Sequence, residues 1–191
     1  MTSRLDSARR RSTRWVIAAV CVLTLLLGAV AVRQFVVRPF TVPSESMAPL
    51  LHSGDVILAD RSTRGAARRG DVVVFDGSGY FGPAEDGSRF WVKRVIAIGG
   101  DSIRCCGDDG SLILNNEPLV EPYLAPGTEP SQIRFDLRVP EGSLFLLGDN
   151  RADSTDSRFL LGAPGGGMVP EGRVVGHLAG VIWPLPRAGS R

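Results

Sequence analysis

From Trp15 to Val32 the chain runs for 18 residues without a charged side chain, WVIAAVCVLTLLLGAVAV, between Arg14 and Arg33. As a helix this run is about 27 Å long, close to the ~30 Å hydrocarbon core of a bilayer. A helix buried in a globular core would keep a polar face, and here only Thr24 interrupts the apolar surface. A cleaved signal sequence has a shorter apolar region, roughly 7–15 residues, although Ala29-Val30-Ala31 has the small residues of a cleavage site. The run therefore reads as a membrane anchor in contact with lipid. Residues 1–14 hold five Arg against one Asp, a basic tail that places the N-terminus in the cytoplasm and everything from about Arg33 onward outside. A single-pass plasma-membrane protein with an extracytoplasmic domain is expected.

Beyond the anchor, the 191-residue chain has room for one compact domain. Val174 to Pro186 is apolar but broken by His177, Gly180 and Pro184, too short for a second span, and reads as one or two buried strands. Short β-branched and apolar runs recur at Val56–Ala59, Asp71–Phe75, Phe90–Ile98, Ser111–Leu114 and Gly142–Leu147. Each is bounded by Gly, Pro, Asp or Asn, the punctuation of an antiparallel, mostly β domain. The Gly-rich stretches 76–89 and 161–172 read as mobile loops. The formal net charge of +2 excludes a dedicated nucleic-acid binder. Two His and three Cys leave little for a metal centre, and neither a metal nor another cofactor is expected. Cys21 falls within the anchor. Cys105 and Cys106 are adjacent, and a vicinal bridge and two free thiols in a turn are both open.

Of the 22 basic residues, 21 are Arg and one is Lys, at Lys93. Strand alternation puts Trp91, Lys93 and Val95 on one face of its apolar run and Val92, Arg94 and Ile96 on the other. Arginine stays charged, whereas a buried lysine loses its proton more readily, so a lysine required as a base has no arginine substitute. The bland alternative is a strand lysine that snorkels to solvent. A base needs a hydroxyl or a water to activate, and the candidate hydroxyl is Ser46, in a turn bracketed by Pro43 and Pro49. His52 and His177 sit in no recognisable catalytic setting, and neither G-x-S-x-G nor S-x-x-K occurs around Ser46.

Four ordered segments carry a family resemblance. They are Pro43-Ser44-Glu45-Ser46-Met47-Ala48-Pro49-Leu50-Leu51, Gly70-Asp71-Val72-Val73-Val74-Phe75, Val92-Lys93-Arg94-Val95-Ile96-Ala97-Ile98-Gly99-Gly100-Asp101, and Gly148-Asp149-Asn150-Arg151-Ala152-Asp153-Ser154-Thr155-Asp156-Ser157-Arg158. In this order, behind an anchor, they resemble the boxes of bacterial type I signal peptidases across roughly residues 38–183. Asn115-Asn116-Glu117-Pro118 and Glu121-Pro122-Tyr123-Leu124 resemble the family's insertion more weakly.

The resemblance implies a basic cytoplasmic tail (1–14), a transmembrane anchor (15–32) and a juxtamembrane linker (33–41). A catalytic β core (42–101 and 143–186) would carry an inserted β region (102–142), with a short tail at 187–191. It implies Ser46 as nucleophile and Lys93 as general base. Ser44 would hold the oxyanion, Ser154 would orient the Lys93 amine, and Asp156 and Arg158, with Arg94, would tie the closing box. Substrates would be preprotein signal peptides with small residues one and three positions before the cut, admitted by a pocket walled by Phe40, Val42, Met47 and Val92. Glu45 stands where many members have a small residue. It could face solvent, or it could place a charge near the cleft. Two other readings exist: a self-processing Ser/Lys peptidase of the repressor type, opposed by the anchor, and an inactive membrane-tethered β binding module, opposed by the presence of Ser44, Ser46, Lys93 and Ser154 together.

Overall fold

The computed structural model describes residues 15–30 and 36–185, which fall into two compact units divided between Val37 and Arg38. In the first unit residues 15–30 are helical and exposed along their whole length. No helix among the described residues is long and apolar enough to cross a membrane. The expected tail 1–14, the last two residues of the expected 15–32 anchor, residues 33–35 and the C-terminal residues 186–191 lie outside the described residues.

The second unit is mostly β and antiparallel. Its strands are β1 (Val37–Thr41), β2 (Val56–Asp60), β3 (Val72–Asp76), β4 (Phe90–Ile98), β5 (Ser102–Cys105), β6 (Leu112–Leu114), β7 (Glu117–Pro118), β8 (Phe135–Arg138), β9 (Ser143–Leu147), β10 (Val169–Pro170) and β11 (Val174–Trp183). They form a seven-stranded sheet ordered β1-β2-β11-β3-β4-β9-β10 and a four-stranded sheet ordered β7-β6-β5-β8. The first strand takes up residues that the sequence pattern leaves to a linker. It lies at the sheet edge, the position in a sheet where a proline such as Pro39 is tolerated. The 161–172 stretch, read as a loop, supplies β10 and a single 3₁₀ turn, Glu171–Arg173.

The central strands are apolar on both sides because both faces of the sheet are covered. In β3, Val72 and Val74 join one buried cluster with Val42, Met47, Leu51 and Ile57, while Val73 and Phe75 join another with Val95, Leu144 and Leu146. In β9, Phe145 and Leu147 point the other way, into a third cluster with Ile103, Leu112 and Phe135 of the smaller sheet. That third cluster is what fastens the smaller sheet to the larger one. The β6–β7 hairpin turns on Asn115 and Asn116, both at positive φ (52° and 70°), a conformation that asparagine tolerates well.

Lys93 therefore sits in the middle of the larger sheet. β4 pairs with β3 on one side, Lys93 opposite Val73, and with β9 on the other, Arg94 opposite Leu147.

Candidate active site

Ser46 lies in the turn that follows β1, and two neighbours anchor that turn. Met47 and Leu51 are fully buried, and Leu51 N–H donates to the Met47 carbonyl at 3.0 Å. Glu45 faces away from the cleft: its carboxylate accepts from Ser53 N–H at 2.9 Å and meets His52 Nδ1 at 2.8 Å. Of the two orientations open at the sequence level, the structure has the one directed away from Lys93, and Glu45 acts as a brace for the turn.

Lys93 is 1% exposed, and its Nζ donates to Ser46 Oγ at 2.6 Å. Ser44 Oγ donates to the same oxygen at 3.2 Å. Strand alternation holds at this point. Trp91 and Val95 belong to one buried cluster, with the Trp91 ring 5.2 Å from Nζ, while Arg94 turns away to Asp149. Burial pushes the Lys93 amine down from 10.5 to about 8, and the carboxylates of Asp156, Asp149 and Glu85 oppose that shift. The difference corresponds to a cost on the order of 3 kcal/mol for keeping an ammonium there. A hydroxyl in hydrogen-bond contact with an amine so shifted has the geometry for proton transfer.

The 148–158 segment closes over the Ser46 turn. Asn150 N–H donates to the Ser46 carbonyl at 3.0 Å, and Asn150 Nδ2 donates to the Glu45 carbonyl at 3.2 Å. Gly148 must be glycine here, because a Cβ would collide with the Ser46 carbonyl oxygen and Ser154 Oγ. Ser154 is buried, and its hydroxyl makes no hydrogen bond within the structure. Asp156 and Arg158 pair with each other, Nε to Oδ1 at 2.9 Å and Nη2 to Oδ2 at 2.7 Å, and Asp156 Oδ2 also accepts from Gly148 N–H at 3.2 Å. Arg94 stands apart from that pair and grips Asp149 with both Nε (2.8 Å) and Nη2 (2.6 Å).

A cleft of about 270 Å³ opens beside Ser44, Ser46 and Lys93. Val42, Met47 and Val92 line it; Phe40 does not, because its ring packs edge-on behind the wall against Phe90, with centroids 5.3 Å apart. The opposite wall comes from residues 82–85 of a Gly-rich stretch read as a loop, anchored by Trp91 Nε1 donating to the Gly82 carbonyl at 3.0 Å. Sequence reasoning misses Asn150, Glu85 and this wall. Loop composition hides the wall, whereas Asn150 stands inside the closing box. Among the described residues no group of His, Cys, Asp and Glu could hold a metal ion. The sulfurs of Cys105 and Cys106 are joined, away from the cleft, at the end of β5.

The profile of the peptidase S26 family, described as signal peptidase, matches residues 12–183. A probable signal peptidase I of Mycobacterium leprae is 34% identical over 241 residues, covering 97% of this chain and 82% of its own. Signal peptidase I of Mycobacterium tuberculosis is 34% identical over 227 residues, with 94% and 76% covered. That of Bacillus amyloliquefaciens is 31% identical over 194 residues, with 96% and 93% covered. The chain belongs to the peptidase S26 family and is a serine endopeptidase.

Burial of Lys93 gives a stability prediction with a definite sign. The folded value (about 8) lies below the unfolded one (~10.4), so the folded state binds fewer protons between the two and stability rises with pH across that window. Below about pH 8 the full cost of the buried ammonium is present. Lys93→Met should therefore melt higher than the parent at pH 7, and the gap should shrink towards pH 10. Thermal unfolding of both proteins in detergent at the two pH values measures it, and a gap independent of pH contradicts the buried ammonium.

Proposed function

We propose that this peptidase removes N-terminal signal peptides from exported preproteins, with Ser46 as nucleophile and Lys93 as general base. The observation that carries the reading is the 2.6 Å contact between a fully buried amine and the Ser46 hydroxyl at the wall of an open cleft. Once Lys93 has lost its proton, the direction of that hydrogen bond reverses and Ser46 donates. As Oγ attacks the scissile carbonyl, the amine takes the hydroxyl proton and later returns it to the leaving amine. Water then attacks the ester, again giving its proton to Lys93, and releases the signal peptide from Ser46. Ser44 Oγ, 3.2 Å from Ser46 Oγ, is close enough to turn its hydrogen towards the oxyanion, with the Ser46 N–H as second donor. The buried Ser154 hydroxyl has unspent hydrogen-bonding capacity, which suits it to orienting the amine. Asp156, Arg158 and Arg94 hold the segment that carries it.

Val42, Met47 and Val92 wall a shallow cleft. Small residues one and three positions before the cut fit such walls, and larger ones are excluded by clash. The charge-free run from Trp15 to Val32, its exposed helical portion and the basic tail support a single membrane anchor. The tail is then cytoplasmic and the β domain is beside the outer surface, where preproteins emerge.

Purified protein incubated with a preprotein should yield a mature chain whose new N-terminus follows a small residue. Ser46→Ala should abolish this, and Ser44→Ala should lower the rate by about 10²–10³-fold, the usual effect of losing one oxyanion donor. Lys93→Arg should also be inactive although it keeps the charge, since a guanidinium with pKa above ~12 cannot accept the proton. The parent's acylation rate should rise with pH around 8 and then level off. A folded Lys93→Arg protein with near-parental activity removes the dyad from the mechanism. The topology has its own test. Protease added outside wall-stripped cells should digest the β domain, and full protection overturns the orientation.

A further inference from the structure

We propose that Glu121, in the smaller sheet's connecting segment, is a positioning residue of the active site: it holds Arg151, and through Arg151 it fixes the 148–151 turn against Ser46. This rests on the Ser46/Lys93 mechanism and adds to it a residue that does not line the cleft.

The Arg151 guanidinium is almost wholly buried, its side chain 1% exposed, and every acceptor it uses is fixed. Nε donates to the Gly148 carbonyl at 3.1 Å and Nη1 to the Pro130 carbonyl at 2.8 Å. Nη1 also donates to Glu121 Oε2 at 3.1 Å, and Nη2 donates to Glu121 Oε1, so the pair is bidentate. Glu121 is itself 4% exposed. A guanidinium buried to this degree without its carboxylate is strongly unfavourable, so removing Glu121 forces Arg151 to move or to admit water. The Tyr123 hydroxyl donates to Glu121 Oε1 at 2.7 Å, and its ring lies 4.0 Å under Arg94, which grips Asp149. The short segment Glu121-Pro122-Tyr123 thus restrains Gly148, Asp149 and Arg151 from one side.

Ser46 is on the other side of the same turn. The Ser46 carbonyl oxygen occupies the place a side chain on Gly148 would take, and it accepts from Asn150 N–H at 3.0 Å. Ser154 Oγ borders the same space. A displacement of the 148–151 turn is therefore passed to the Ser46 backbone through the Asn150 hydrogen bond and this close packing. The charges that act on Lys93 would move with it. Asp149 lies in the turn and Asp156 bonds Gly148 N–H, and both favour the protonated amine, as Glu85 does from the opposite wall, while Arg158 opposes it. A loosened turn draws the two aspartates away from Lys93, which makes deprotonation easier.

The test is preprotein cleavage by full-length Glu121→Gln in detergent, with kcat and KM measured across pH 6.5–9.5. The expected result is a folded protein whose kcat falls about 10- to 100-fold, as misplacement by about an ångström does. KM should change less, and the acidic limb of the profile should move below the parent's. Ile113→Ala, at a buried position of the smaller sheet outside the cluster that Tyr123 packs against, separates positioning from mere destabilisation. It should lower the melting temperature while keeping the parental kcat and pH profile. If Glu121→Gln does not fold, Tyr123→Phe leaves every charge in place and removes only the bond that orients the carboxylate, and it should lose severalfold in kcat with the same direction of pH shift. A parental kcat and profile in the folded Glu121 variant, or in Tyr123→Phe where it stands in, overturns the proposal, as does an equal loss and shift in Ile113→Ala. Parent, Ser46→Ala and Lys93→Arg in the same assay keep the two questions apart: cleavage lost in both variants preserves the dyad even if Glu121 proves neutral.

Discussion

Lys93 occupies a position in β4 that an apolar side chain would fill at lower cost. Val73 faces it across the ladder, Trp91 and Val95 flank it on its own face, and among the described residues its amine donates to Ser46 Oγ. Desolvation is the dominant influence on the group, and it is only partly offset by carboxylates, two of which, Asp149 and Asp156, are already held in ion pairs. Asp149 is held by Arg94 and Asp156 by Arg158, so Lys93 feels two ion pairs and not two free charges. The field of a pair falls off faster than that of a single charge. An unpaired aspartate at the same place would hold the proton on Lys93, and the amine would be a poor base at neutral pH.

The same strand must deliver two basic residues to different surroundings. Lys93 goes to the Ser46 side and Arg94 to Asp149 and the ring of Tyr123. Because side chains alternate with a period of two, a slip of one residue would exchange them, placing a permanent cation beside Ser46 and leaving Asp149 without its bidentate partner. Five consecutive pairs with β3 fix the register, from Val72–Arg94 to Asp76–Phe90. On the other edge the ladder with β9 is interrupted between Val95 and Ala97, beyond the two basic residues, so the irregularity falls where it does not disturb them.

Much of this arrangement is legible in the chain itself. The apolar runs mark β2, β3, β4 and β9 because strands covered on both faces show continuous hydrophobicity, and the lone lysine stands out against 21 arginines. Less local features are hidden. β1 carries Arg38 and Pro39 and looks like a linker, since an edge strand needs neither alternation nor a full set of donors. Phe40 is expected as a pocket wall beside Val42, Met47 and Val92, but its ring packs on Phe90 and does not line the cleft. Arg94 groups with Asp156 and Arg158 in sequence because all three lie in the boxes, and only the three-dimensional arrangement assigns it to Asp149. The wall at residues 82–85 cannot be read from sequence at all, for it depends on one indole N–H reaching a carbonyl nine residues earlier.

A lysine base also constrains how the cleft must work under the proposed mechanism. Histidine can serve as a base in a wet site because its unperturbed pKa is already near 6.5, whereas lysine starts near 10.4 and needs desolvation to reach a useful value. In the empty cleft the amine is brought to about 8. A peptide laid between the Val42–Pro43 side and residues 82–85 displaces water from the cleft beside the Ser46/Lys93 pair, and this disfavours the ammonium further. Substrate binding and activation of the base are then the same event, strongest for a peptide small enough beside Ser46 to close the cleft completely. A bulky side chain that holds the peptide off the walls leaves water in the cleft beside the buried amine, so poor fit weakens the chemistry as well as the binding. Exclusion by size and catalysis by a buried amine thereby reinforce one another at a single surface.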